Sequence, residues 1–125
     1  MVAFCLRWML IVCLLSANAL GIAGRIHAAE EPGEEFFERK IRPLLVQHCY
    51  ACHGRGQKKG GLSLDSREAL LAGGESGASI RLGNDEKSLF VEAIEYDGAL
   101  QMPPNGKLAA DEIAALKQWI KLGAP

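Results

Sequence analysis

The chain has 125 residues and an almost balanced charge, with 14 Lys and Arg against 15 Asp and Glu. This length is that of one small domain. The balance excludes the strongly basic composition of a typical nucleic-acid-binding protein, so no nucleic-acid partner is expected.

The N-terminal segment, residues 1–29, has the pattern of a secretory signal peptide. A single early cation, Arg7, precedes a 17-residue uncharged run over residues 8–24. Small residues at Ala28 and Ala29 fit a cleavage site. Cleavage is favoured over retention as an anchor, because the run only just reaches the ~17–25 residues that a spanning helix needs. The protein is therefore predicted to be periplasmic or otherwise extracytoplasmic, with membrane contact only if the anchor is retained.

The predicted cut changes the inventory of reactive side chains. A cut after Ala29 leaves 96 residues with 12 Lys and Arg and 15 Asp and Glu; a cut after Ala19 is the alternative. Either cut removes two of the four cysteines and two of the three methionines, so the exported protein keeps Cys49, Cys52 and Met102. Because so small a chain with many glycines has a limited core, we expect it to need a bound group or a covalent staple.

The exported chain begins with an acidic stretch, residues 30–35, that is predicted to be a flexible lead-in to a domain over residues 36–125. Apolar residues then recur at spacings of three and four from Phe36 to Tyr50, which predicts an amphipathic helix. Pro43 predicts a kink or a shift in the first turns of this helix, because proline lacks an N–H and clashes with the preceding turn.

Three further helices follow in the sequence, and they are predicted to end near Ala72, Tyr96 and Leu122. Asp65 is the predicted cap of the first, and Asn84 or Asp85 that of the second. The third begins at Ala110, with acidic residues in its first turn and lysines near its end. Glycine-containing loops separate the helices, and no internal repeat or strand-rich section appears. The predicted fold class is therefore all-α with long Gly-rich loops.

Residues 49–53 have the sequence CYACH, a C-x-x-C-H motif that is the attachment signature of c-type haem. Thiols at Cys49 and Cys52, near a helix end, can each form a thioether to one haem vinyl group, and His53 is then directed at the iron. A zinc site needs about four ligands, and beyond this cluster the exported chain has only His48. A thioredoxin-like site should lie in a β/α pattern, which is absent. The prediction is one covalently attached haem c, with a disulfide or redox CxxC as the remaining alternative.

The second axial ligand of such a haem is predicted to be Met102, which lies 49 residues after His53 in a loop stiffened by Pro103 and Pro104. A methionine that only fills the core usually lies on a periodic apolar face, and this one does not. His48 lies on the attachment helix and cannot easily reach the opposite haem face, so it is predicted to be a partly buried or capping residue. His/Met ligation raises the reduction potential and leaves no open iron position, which favours electron transfer.

These residues resemble small class I c-type cytochromes, and most closely the planctomycete-type cytochrome c domain. The stretches that carry the likeness are FFERKIRPLLVQHCYACHG, KKGGLSLDSREALLAGGESG, NDEKSLFVEAI and LQMPPNGKLAADEIAALKQWIKLGAP. The resemblance implies a haem held between N- and C-terminal helices that cross. It also implies Cys49 and Cys52 as attachment points, His53 as proximal ligand and Met102 as distal ligand. Domains of this type commonly continue into large additional domains.

The predicted function is an extracytoplasmic monohaem cytochrome that carries single electrons to and from redox protein partners. It is predicted not to be an enzyme, although it could serve as an electron-transfer subunit of an oxidoreductase. One alternative is a haem-based binding or sensing module, in which Met102 dissociates to admit a small ligand. Another is a module that feeds electrons to a larger oxidoreductase complex. The residues expected to form the pocket or the helix interface are Leu44, Leu45, Leu89, Phe90, Leu108, Ile113, Leu116 and Trp119.

Overall fold

The computed structural model describes residues 32–84 and 87–125 of the chain. Its elements are helices joined by loops, and the described part contains no strand beyond an isolated bridge between Gly74 and Gly77. The all-α fold class is therefore confirmed. The predicted signal peptide lies outside the described residues. Within them, no helix is both long enough and apolar enough to cross a membrane.

The N-terminal helix is built from consecutive segments: α1 (Pro32–Phe36), a π-helical turn (Phe37–Ile41), α2 (Arg42–His48) and α3 (Tyr50–His53). The π-helical turn ends two residues before Pro43, and the Arg42 N–H that follows it donates to the Phe37 carbonyl five residues earlier. Proline cannot continue the ordinary helical hydrogen bonds, and a π-turn shifts the register around it. The shift predicted at Pro43 is therefore present.

This helix begins at Pro32, one turn before the predicted start at Phe36, and so includes part of the predicted lead-in. Proline suits a first helical position, and Glu34 and Glu35 in the first turn favour the positive end of the helix dipole. Gly33 lies against the far end of the chain, where an added Cβ would come within 2.7 Å of the Pro125 ring. The helix thus continues beyond its amphipathic pattern to a point where it lies against the C-terminus.

A short 3₁₀ turn (Lys59–Gly61) and three helices complete the described fold: α4 (Arg67–Ala72), α5 (Leu89–Glu95) and α6 (Ala110–Lys121). The predicted cap of α4 is wrong. Ser66, not Asp65, precedes the helix, and its hydroxyl accepts a hydrogen bond of 3.1 Å from the Ala69 N–H. Asp65 is unavailable as a cap because its carboxylate accepts hydrogen bonds from Arg55 and Gly56 instead.

The predicted start of α5 is also wrong, since the helix begins at Leu89 and Ser88 precedes it. The Asn84 carbonyl accepts the Lys87 N–H in a separate turn; Asp85 lies outside the described residues. One of the first N–H groups of α5, that of Phe90, donates to the Ser79 carbonyl in the preceding loop at 2.9 Å. A tertiary backbone contact replaces the side-chain cap that the sequence predicted.

The N- and C-terminal helices meet through their apolar faces. The rings of Phe37 and Trp119 lie with centroids 5.7 Å apart, and Ile41 and Leu116 are among the most buried side chains. This is the helix contact that the resemblance implied. Of the residues expected in the pocket or interface, Leu44 and Leu89 are half-buried, and the buried ones are Leu45, Phe90, Leu108, Ile113, Leu116 and Trp119.

The C-terminus is held by side chains from two helices. The Arg67 guanidinium of α4 donates to the carbonyls of Gly123 and Ala124 at 2.9 to 3.3 Å. The Trp119 indole N–H donates to the Pro125 carbonyl at 2.8 Å. Gly123 and Ala124 follow the end of α6, so their carbonyls have no partner within the helix, and the charge-assisted bonds from Arg67 satisfy them.

Candidate functional site

The C-x-x-C-H motif spans the junction between α2 and α3. Cys49 departs from helical geometry there, with φ −121° and ψ −38°, and its carbonyl accepts the N–H groups of Cys52 at 3.1 Å and His53 at 2.9 Å. Both thiols are partly buried and do not form a disulfide. One short helical turn therefore brings together the three motif residues at the end of the N-terminal helix.

The His53 ring is oriented by a backbone carbonyl. Its Nδ1 lies 3.2 Å from the Leu62 oxygen. A carbonyl oxygen only accepts hydrogen bonds, so Nδ1 carries the proton and Nε2 of the neutral ring keeps its lone pair. The adjacent backbone is held as well, because Leu64 N–H donates to the His53 carbonyl at 2.6 Å. This is the arrangement in which a histidine is prepared to ligate a metal through Nε2.

Asp65 closes the turn that follows the motif. Arg55 and Gly56 both have positive φ, 54° and 82°. Their N–H groups converge on the Asp65 carboxylate at 2.6 and 3.0 Å. Hydrogen bonds from the Gly56 and Arg55 N–H groups lower the pKa of Asp65 below its ordinary value, with a smaller contribution from Ser63. The motif turn is thus joined to residues 62–65, which also hold His53.

Replacing Asp65 with asparagine is expected to lower the melting temperature at pH 7, because the amide cannot accept both N–H groups as a carboxylate does. Since the pKa of Asp65 is lowered in the folded state, its stabilising effect is present above the ordinary pKa and is lost as pH falls below about 4. The difference in melting temperature between the wild type and Asp65→Asn should therefore shrink and disappear on acidification.

The matched control is Asp97→Asn, because Asp97 is exposed and its carboxylate accepts no hydrogen bond in the described structure. Thermal melts of the three proteins between pH 7 and pH 2 provide the comparison. A deficit for Asp65→Asn that persists unchanged to the lowest pH would contradict the role of the charge.

The chemistry of Cys49 distinguishes between the alternatives for the motif. Burial, and to a lesser extent the neighbouring Cys52, raises the pKa of the Cys49 thiol to about 11. Reactive and metal-binding cysteines act as thiolates and have a lowered pKa. A Cys49 thiol that stays protonated at neutral pH is not the activated thiolate of a redox CxxC site.

Met102 lies on a different element, in the loop between α5 and α6. It is partly buried, its N–H donates to the Ala93 carbonyl at 2.9 Å, and the bond to Pro103 is cis. The Tyr96 hydroxyl donates to the carbonyl of Pro103, which is itself buried. The structure thus places the four predicted site residues on two elements, and the role of Met102 as an axial ligand stays a prediction.

His48 lies at the interface of the two terminal helices. Its Nε2 is 3.3 Å from Glu112 Oε1, and the two side chains are 21% and 24% exposed. The other Glu112 oxygen accepts the Ala109 N–H at 3.0 Å, at the start of α6. His48 is thus partly buried, as predicted, and it links the N-terminal helix to the first turn of α6.

Three contributors to the site were missed in the sequence: the Leu62 carbonyl, the Asp65 carboxylate and the Tyr96 hydroxyl. A backbone carbonyl has no side-chain signature, so Leu62 could not have been found. Gly56 indicated a turn after the motif, but nothing in the sequence indicated that Asp65 accepts its N–H. Tyr96 follows an amphipathic pattern and gave no separate signal.

An all-α domain whose terminal helices pack together, with C-x-x-C-H at a helix end and a histidine prepared for ligation, has the features of a c-type cytochrome. Residues 49–106 match the family model described as Planctomycete cytochrome C, and this segment is therefore a cytochrome c domain of the planctomycete type. The resemblance seen in the sequence is confirmed. The match covers a little under half of the chain and includes Cys49, Cys52, His53 and Met102. No curated protein and no solved structure gave a significant match.

The family supports a coarse functional assignment. Cytochrome c domains carry haem c, and the spacing of Cys49 and Cys52 fits its attachment. The match therefore supports a haem-binding, electron-transfer role for the chain.

Proposed function

We propose that the chain is an extracytoplasmic cytochrome that carries single electrons between redox protein partners through one haem c. In this proposal Cys49 and Cys52 form the two thioethers, His53 is the proximal ligand and Met102 the distal one. The observation that carries the proposal is the hydrogen bond from His53 Nδ1 to the Leu62 carbonyl, since it leaves Nε2 free to ligate iron.

The side chains of Cys49, Cys52, His53 and Met102 have the chemistry needed to hold haem c. Two thiols that form no disulfide, a histidine of defined tautomer and a thioether on a loop are the chemistry that a covalently held, six-coordinate haem requires. When bound, haem supplies an iron centre that cycles between Fe(III) and Fe(II). The residues present therefore match the cofactor that the family implies.

The chain's own contribution is to hold these groups and to exclude water. The Leu62 carbonyl fixes the His53 ring, and hydrogen bonding of this kind raises the basicity of a ligating histidine. Leu64, next to this contact, is 7% exposed, as is Leu108 in the loop that carries Met102. Apolar side chains next to the ligands lower the local dielectric constant, which tunes the reduction potential.

The predicted export signal supports an extracytoplasmic location, because Cys49 and Cys52 would then be delivered to the compartment in which haem is attached. Retention of residues 1–29 as an anchor would place the same domain at the membrane surface. In both cases the partners are expected to be redox proteins, and nothing in the charge favours nucleic acid.

The intact mass of the exported protein, measured together with its visible spectrum, tests the proposal. We expect a chain that starts near residue 30 and is heavier than the polypeptide by one haem, with the absorption bands of a c-type cytochrome. The variant with both Cys49→Ala and Cys52→Ala should lack the added mass. A wild-type mass two hydrogens below that of the polypeptide would instead indicate a disulfide and contradict the proposal.

A further inference from the structure

The C-terminal end of α5 has an unusual backbone conformation. Tyr96 ends the helix in the left-handed region, with φ 59° and ψ 32°, and its N–H donates to the Ala93 carbonyl. Glycine is the residue usually found at such a position, because a side chain there is strained. Because Tyr96 occupies this position, we expect its side chain to make a contact that offsets the backbone strain.

That contact is made with the loop that carries Met102. The Tyr96 hydroxyl donates to the carbonyl of Pro103, the residue after Met102. The Met102 N–H donates to the Ala93 carbonyl at 2.9 Å. Ala93 O is one of the last carbonyls of the helix, and it accepts both the Tyr96 N–H and the Met102 N–H. Two hydrogen bonds from one helix end thus hold the backbone on both sides of the Met102 side chain.

We propose that Tyr96 is a positioning residue for the Met102 sulfur. By binding the Pro103 carbonyl it keeps the loop backbone in place, and it thereby limits how often the thioether leaves the iron. This inference rests on the proposed His53/Met102 ligation and deepens it. It means that Tyr96, a residue outside the C-x-x-C-H motif, controls access to the distal face of the haem.

The size of the effect follows from the loss of one hydrogen bond. A neutral hydrogen bond contributes free energy that corresponds to about a 3- to 10-fold change in an equilibrium. In Tyr96→Phe the ring stays and only the hydroxyl is removed. The fraction of molecules with Met102 dissociated should therefore rise about 3- to 10-fold.

The experiment uses the exported, haem-loaded protein and its Tyr96→Phe variant. Imidazole binding to the oxidised protein requires Met102 to leave, so its apparent affinity should rise about 3- to 10-fold in the variant. The far-red band of thioether–iron(III) ligation should also be lost at lower imidazole concentration. Hydrogen exchange of the Met102 amide gives a second readout, and it should be faster in Tyr96→Phe while the Leu116 amide is unchanged.

Ser66→Ala is the matched control, because it also removes one hydroxyl hydrogen bond, that to Ala69 N–H in α4. It should lower stability without changing imidazole affinity or Met102 exchange. The proposal is overturned if Tyr96→Phe binds imidazole like the wild type, or if Ser66→Ala gives the same increase. A wild type without the far-red band would overturn the Met102 ligation itself, and an intact band with an unaffected variant would overturn only the role of Tyr96.

Discussion

Alanine at position 102 is expected to remove the far-red band of the oxidised protein and to let the reduced protein bind carbon monoxide. Alanine has no atom that can ligate iron, so the sixth position is left to water or to an added ligand. Because axial ligands shift haem potentials over about 0.8 V and methionine raises them, the reduction potential should fall, by on the order of 0.1 V. Visible spectroscopy, redox titration and carbon monoxide difference spectra measure the three effects.

The control for this prediction is Gln101→Ala, since Gln101 is the exposed neighbour of Met102 in the same loop. Gln101→Ala should keep the far-red band and the reduction potential of the wild type, and its reduced form should not bind carbon monoxide. Carbon monoxide also tests the sensing alternative. A wild-type reduced protein that binds carbon monoxide readily would favour a ligand-binding module over a carrier, and a Met102→Ala protein with an unchanged spectrum would contradict the ligation.

Truncation of Trp119 to alanine is expected to cause the largest loss of stability. Trp119 is 3% exposed, its ring packs against Phe37 across the two terminal helices, and its indole N–H donates to the Pro125 carbonyl. Removal of a buried tryptophan costs about 3–5 kcal/mol, from lost burial and the remaining cavity. The total stability of a small domain is about 5–15 kcal/mol, so Trp119→Ala should unfold at much lower denaturant concentration.

Two variants show which interaction matters in this contact. Trp119→Phe keeps an aromatic ring against Phe37 but loses the indole hydrogen bond, so its deficit should be clearly smaller than that of alanine. Gln118→Ala changes an exposed neighbour on the same helix and should stay within about 0.5 kcal/mol of the wild type. Denaturant unfolding of the haem-loaded proteins gives the change in free energy of unfolding for each of the three variants. A loss below about 1 kcal/mol for Trp119→Ala would contradict a central role for the helix contact.

The accuracy of the sequence predictions depended on the range of the interactions involved. The N-terminal amphipathic helix and α6 follow from apolar spacing, because a helix buries residues that recur every three or four positions. Their ends were less predictable. The helix extends to Pro32, where the neighbouring Gly33 lies against Pro125 at the other end of the chain. The start of α5 depends on a carbonyl in the preceding loop, that of Ser79.

The site residues also divide into those recognisable from local sequence and those that depend on the folded structure. Cys49, Cys52 and His53 form a local motif whose spacing alone indicates its chemistry, and Met102 was singled out as the methionine that remains after the signal peptide. The residues that hold them could not be recognised. Asp65 was predicted to cap its own helix, yet its carboxylate binds N–H groups ten and nine positions earlier in the chain.

The sequence by itself thus determined the all-α class, the attachment motif and the candidate ligands, because each depends on residues that are close in the chain or on their chemical type. Only the tertiary structure decided which tautomer His53 adopts, what closes the turn after the motif and what holds the Met102 loop. Each of these depends on hydrogen bonds between residues seven to ten positions apart, and those that orient His53 and hold the Met102 loop are made to backbone carbonyls. Such contacts depend on how the chain folds back on itself, because every residue type offers the same carbonyl acceptor.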